Sequence, residues 1–151
     1  MRRNLSALVL AAGASGLVAS AAMAACDKPG KTVFSCIAAK GKRIEVCDAG
    51  KTIDYTFGPA TAPELVLRVP RQQASTAQWQ GVGRYLSYTV EVPNGDTLYR
   101  VFWSADRLSE AHGVEAGVHV EIRKKLVATV RCVGEKDIVQ AIEGIDLKPA
   151  E

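Results

Sequence analysis

The chain has 151 residues, with 19 Lys or Arg against 16 Asp or Glu, and 48% of its side chains are apolar. That size holds one domain with its own core and leaves no room for a second. The formal charge of +3 comes mostly from the extreme N-terminus: without Arg2 and Arg3 the balance is 17 basic against 16 acidic residues, which excludes the concentrated basic face that a nucleic-acid partner requires.

Arg2 and Arg3 precede an uncharged Ala/Leu/Val-rich run from Leu5 to Val18. Ala22-Met23-Ala24 follows, with small residues at the two positions that a signal peptidase reads. This is the layout of an export signal over residues 1–24, and it predicts a mature domain of residues 25–151 in the periplasm or outside the cell. Gly13 and Gly16 interrupt the run and no charged stop follows it, which argues against a retained membrane anchor. Met23-Ala24-Ala25-Cys26 also resembles a bacterial lipobox, whose Cys is lipidated. Lipidation would leave an odd number of thiols in an oxidising compartment, so soluble export is expected, with membrane contact only if Cys26 carries lipid.

The mature chain then alternates with the period of two that a half-buried strand imposes. Strands are expected over residues 32–37 and 43–48, over 52–57 with Ile53, Tyr55 and Phe57 on one face, and over 64–69 with Leu65, Leu67 and Val69 together. Residues 71–83 are polar and predict a long loop carrying Trp79. Residues 85–92 and 97–103 flank Asn94-Gly95, the pair that suits the centre of a type I′ hairpin turn. Ser104 to Glu115 predicts the start of a short helix, with Ser104 as N-cap and Gly113 as the stop. A second hairpin is expected over residues 118–132, turning at Lys124-Lys125. Ile138 and Ile142, four apart, predict one or two helical turns at the C-terminus. The expected fold is all-β: a small antiparallel β-barrel or sandwich of about eight strands with a short C-terminal helix.

All four cysteines, Cys26, Cys36, Cys47 and Cys132, follow the predicted cut, and an even number in a small exported domain predicts two disulfides. The absence of a C-x-x-C pair or a Cys/His cluster argues against zinc. Three pairings are open. A two-residue tip at Gly41-Lys42 would set Cys36 opposite Cys47 in a hydrogen-bonded pair, whose Cβ atoms sit too far apart for an easy bridge. Pairing Cys36 with Cys132 would clasp the first and last strands and leave Cys26 to pin the N-terminal arm to Cys47; this arrangement is preferred.

The sequence contains no G-x-S-x-G elbow, phosphate-cradling glycine loop or H-E-x-x-H, and no catalytic residue, metal or cofactor is expected. The nearest approach to a hydrolytic cluster is Ser104, Asp106, Arg107, Ser109, Glu110 and His112, with His119 on the next strand, outward beside Glu121 and Arg123. Two histidines so placed lack ligand spacing, and a solvated connector is the simpler reading. Lys31, Lys40, Lys42 and Arg43 form a basic hairpin tip of the kind that keeps strand edges soluble. The aromatic set is Trp79, Tyr85, Tyr99 and Trp103. Tyr99, Val101 and Trp103 share one strand face, while Arg100 marks the other as partly open. Exposed Trp or Tyr beside Arg would mark a partner site.

Val33-Phe34-Ser35-Cys36, Gly81-Val82-Gly83-Arg84-Tyr85, Tyr99-Arg100-Val101-Phe102-Trp103 and the late Cys132 together resemble the layout of small periplasmic inhibitors of C-type lysozyme. The chain is similar, too, to uncharacterised bacterial exported proteins with a Phe-Ser-Cys opening. The first resemblance implies an exported, disulfide-closed β-barrel that binds a protein partner in the cell envelope, such as a lysozyme, through its loops. The family's loop serine has no counterpart here, and its lysine after the aromatic strand corresponds to Arg107, which would meet the enzyme's carboxylates. Arg84, Tyr85 and Arg107 are therefore the candidate binding residues. An envelope structural or interaction protein with no inhibitory activity, and a small hydrolase built on His112, are the alternatives.

Overall fold

Strand alternation sorts the apolar side chains onto facing surfaces. Ile44, Val46, Ile53 and Tyr55 come from one sheet and Val90, Val92, Val101 and Val118 from another, all essentially inaccessible to solvent. The structure, a computed structural model, describes Cys26 and residues 29–151; the expected export signal lies outside the described residues. The first sheet is a meander of β1 (Lys31–Ile37), β2 (Arg43–Asp48), β3 (Thr52–Gly58) and β4 (Leu65–Pro70). The second contains β5 (Ser75–Ala77), β6 (Tyr85–Asn94), β7 (Thr97–Asp106), β8 (Val114–Ile122) and β9 (Lys125–Arg131). Two short C-terminal strands complete them: β10 (Val139–Gln140) pairs with β1, and β11 (Lys148–Pro149) pairs in parallel with β5. The orders are β10-β1-β2-β3-β4 and β11-β5-β6-β7-β8-β9. This is a two-sheet β-sandwich and not a closed barrel. Across the interior the Tyr55 and Tyr99 rings stack with centroids 5.1 Å apart. Burial raises the Tyr55 phenol far above its ordinary value, with Tyr99 adding to the shift.

The eight expected strands are all present, and five local expectations are corrected. In the last hairpin Ile122 pairs with Lys125, so the turn is Arg123-Lys124 and not Lys124-Lys125. The C-terminal helix is absent: Ile142 is buried and Ile138 half-buried, as their spacing implied, but the backbone between them pairs with the open edge of β1. Gln140 then turns the chain, its Oε1 accepting from the Ile142 N–H at 2.6 Å. No helix follows Ser104 either, because β7 continues to Asp106 and lies opposite β8 as far as Ala105 and Val114. The long polar loop contains β5, whose Ser75, Thr76 and Ala77 pair with Glu91, Val90 and Thr89. In the central hairpin Asn94 pairs with Thr97, so Gly95 and Asp96 form the turn. Gly95 takes a positive φ of 59°, as at the first central position of a type II′ turn.

The disulfides join Cys26 to Cys47 and Cys36 to Cys132, with Cα separations of 5.7 and 5.8 Å. Cys36 does not face Cys47, because a three-residue 3-10 turn at Ala39–Gly41 separates β1 from β2 and sets Cys36 opposite Ile44. The Cys36–Cys132 bond ties the first sheet to the residue that follows β9. From there the tail lies against β1, crosses the core with Ile142, and ends on the far edge of the second sheet.

Candidate functional site

The β6–β7 hairpin fixes the geometry of one end of the second sheet. Its register sets Tyr85 directly opposite Asp106, so Arg84 and Arg107 leave the ladder side by side, joined by an Arg107 N–H to Arg84 carbonyl bond of 3.0 Å. The three residues singled out from the sequence, Arg84, Tyr85 and Arg107, are thus neighbours at one loop end.

Asp106 organises that end. One carboxylate oxygen accepts from Arg84 Nε and Nη2 at 2.9 and 2.6 Å. The other accepts from the N–H groups of Leu108 and Ser109 at 3.0 and 3.2 Å, which shapes the turn after β7. The Arg84 bond, helped by the two N–H groups and opposed by partial burial, draws the Asp106 carboxyl down to about 2. The same pairing pushes the Arg84 guanidinium up, and that group lies 5.6 Å from the Tyr85 ring centroid. Arg107 sits 4.5 Å above the Trp79 ring and donates to the Gly83 carbonyl at 2.9 Å, while Trp79 Nε1 donates to the Val82 carbonyl at 2.8 Å. Gly81 and Gly83 make this wrapping feasible, since both take the positive φ that other residues resist. Among the described residues, Arg107 is held by a ring and a carbonyl, with no carboxylate paired to it. Around these two cation–ring pairs stand Val82, 75% exposed, Leu108, 73% exposed, and Tyr85, 55% exposed.

The other aromatic residues serve the core: Tyr99 stacks on Tyr55 and Trp103 on Tyr88. The basic tip is dispersed. Lys42 pairs with Glu64 at 2.8 Å and lies over Phe57, Arg43 is buried, and Lys40 is left exposed. His112 sits in the turn with Nδ1 3.3 Å from the Asp106 carbonyl. His119 faces Arg100 in mid-sheet, five residues beyond the first pair of β8 with β7, or roughly 17 Å of strand. His119 therefore stands apart from His112 and Asp106, which share the turn after β7. The one group among the described residues with metal-ligand types in reach is Cys26, Glu45 and Cys47, and its two sulfurs are bonded to each other.

A polar row on the outer face of the second sheet went unread in the sequence. By register it runs Lys148, Ser75, Glu91, Arg100, His119, Thr129, one residue from each strand. Glu91 accepts from Ser75 Oγ and Arg100 Nε, both at 2.7 Å, and Arg100 also pairs with Glu121. His119 stacks on Phe102 at 4.3 Å and its Nδ1 lies 2.9 Å from Thr129 Oγ1. Burial, with Arg100 and Arg131 nearby and Glu121 opposing, holds the His119 imidazole below its ordinary value. Within the row Ser75, Glu91 and Arg100 are linked, as are His119 and Thr129, which is the signature of cross-strand stabilisation. Only the register reveals it, because Ser75 lies in the segment that reads as loop.

No protein-family model, curated protein or solved structure matches the chain.

Proposed function

We propose that this domain is an exported binding protein whose loop end docks into the active-site cleft of a cell-wall hydrolase, a C-type lysozyme being the partner that its resemblance implies. The observation that carries the reading is the pairing of Arg107 with Trp79 and Arg84 with Tyr85, within a rim of exposed Val82 and Leu108. Folding gains nothing from leaving three large apolar side chains in water at one end of a sheet, whereas a partner would bury them. Arg, Tyr and Trp dominate binding hot spots because they combine large contact area with a polar end. The cluster is also preorganised: Asp106 holds Arg84, and the Trp79 ring with the Gly83 carbonyl holds Arg107, before any partner arrives, which lowers the ordering cost of association. Arg107, which pairs with no carboxylate among the described residues, is a cation available to an acidic cleft.

Two disulfides suit an oxidising compartment. The Cys26 sulfur that bonds Cys47 is the atom a thioether-linked lipid would need, which favours the soluble form. The test is titration of the mature protein into a lysozyme assay on cell-wall suspensions. Inhibition at micromolar concentration or below is expected. Arg107→Glu and Tyr85→Ala should abolish it while circular dichroism and Tm stay unchanged. No inhibition and no complex by the wild-type protein would overturn the lysozyme assignment.

A further inference from the structure

A two-sheet sandwich has four edges, and three of these are blunted. β10 and β11 are two-residue strands, and β11 contains Pro149. β4 ends at Pro70 and is preceded closely by Pro63. Proline and shortness are the ordinary means of stopping an edge from recruiting another strand. β9 has neither: it runs for seven residues, lacks proline, and exposes every residue except half-buried Val130, with a single bulge at Val127 where its pairing with β8 shifts.

The backbone direction along β9 follows from two hydrogen bonds just beyond it. The Cys132 N–H donates inward to Ala116 of β8, and the Val133 N–H donates outward to Ile37. Alternation then turns the groups of Val130 and Ala128 towards β8 and those of Arg131 and Thr129 away from it. Among the described residues no strand takes up that outward side along Lys125–Arg131; directly beyond it, Ala38 of the first sheet bridges Cys132. The side chains there are also those of an unfinished sheet. Leu126 and Val127 are more than half exposed, and Ile122 and Val133 continue the apolar strip to either side.

We propose that the β9 edge is a second interaction surface, which accepts an extended segment of another protein as an added antiparallel strand. Charge specifies the occupant. Arg123 is paired with Asp96 and Arg131 with Glu115, whereas Lys124 and Lys125 have no carboxylate partner among the described residues. An antiparallel strand brings its C-terminal end beside Lys125, so the segment that fits is apolar and β-branched, with acidic residues at that end. A second copy of this chain does not fit. β9 has no acidic residue, so two-fold pairing with itself leaves Lys124 and Lys125 without a carboxylate and adds like charge along the seam.

The probe is a synthetic peptide of alternating Thr and Val residues ending in two Glu residues, titrated into the oxidised full-length mature protein. Micromolar binding is expected, with slowed amide exchange at Thr129 and Arg131. The Lys124→Glu/Lys125→Glu double variant, whose changes are both on the surface, should weaken it by about tenfold or more and favour the same peptide ending in two Lys residues. Thr129→Pro removes an outward N–H and should abolish binding in both peptides. No binding of the Glu peptide at millimolar concentration, or indifference to the double variant, would overturn the proposal. So would self-association of the protein through β9. Lysozyme inhibition should be unaffected by the double variant, so failure at β9 and failure at the loop end are separately readable.

Discussion

Asp106 holds two turns together, and its acidity reports on that. In the unfolded chain its carboxyl titrates near 3.8, and in the folded state near 2, so the native protein binds fewer protons between those values. Its stabilising effect is complete above the unfolded value and is lost as pH falls through the folded one. Asp106→Asn should therefore flatten the fall in Tm between about pH 4 and pH 2; an acid limb identical to wild type would show that Arg84 does not hold the carboxylate in solution. His119 carries the same sign for the opposite reason. Its imidazole is held below the usual 6.5, so the unfolded state binds more protons around that value. Its stability contribution is full above about pH 6.5 and declines as pH falls towards the folded value. A His119→Gln variant should lose less Tm than wild type from about pH 7 to pH 5, and NMR titration of the ring checks the shift directly.

Between elements, the two bridges differ in reach. Cys36–Cys132 spans 96 residues and Cys26–Cys47 spans 21, so the chain-entropy cost restored by cutting them is about 4.7 and about 3.4 kcal/mol. Cys36→Ala/Cys132→Ala should lower the denaturation midpoint more than Cys26→Ala/Cys47→Ala. Equal losses would mean that the first pair acts only locally. Ile142→Ala, which empties a fully buried position in the tail, should cost about 3 kcal/mol in the same assay. The sequence revealed the long strands because six or more alternating residues have a period to read. β5, β10 and β11 have two or three residues each, too few for any period, and are strands only because a neighbouring edge is open to them. The Ile138–Ile142 spacing signalled burial correctly, and a helix was the wrong cause. At the loop end, Arg84, Tyr85 and Arg107 were legible as candidates, but the Asp106 contact was not. A turn centred on Asn94-Gly95 would pair Tyr85 with Ser104; moving the turn by one residue pairs it with Asp106.

At the scale of the molecule, loops at one end of a rigid sandwich are where binding residues are most readily varied. The loop end and the β9 edge are distinct surfaces and leave open a partner at each. The expected processing has its own check. The mature protein should begin at Ala25 and gain four hydrogens on reduction of its two disulfides. A mass beginning at an acylated Cys26 would break the Cys26–Cys47 bond and place the domain on a membrane.

The C-terminal tail has a consequence for the timing of folding. One stretch at the end of the chain supplies an outer strand to each sheet, a buried isoleucine and the second half of the longest covalent link. A polypeptide emerges from a ribosome, or threads through a pore, N-terminus first. Until residues 139–149 arrive, neither sheet has its full edge and β1 has no partner on one side. The order of synthesis thus works as a delay: until the last segment arrives both sheets stay incomplete, and its arrival closes the domain.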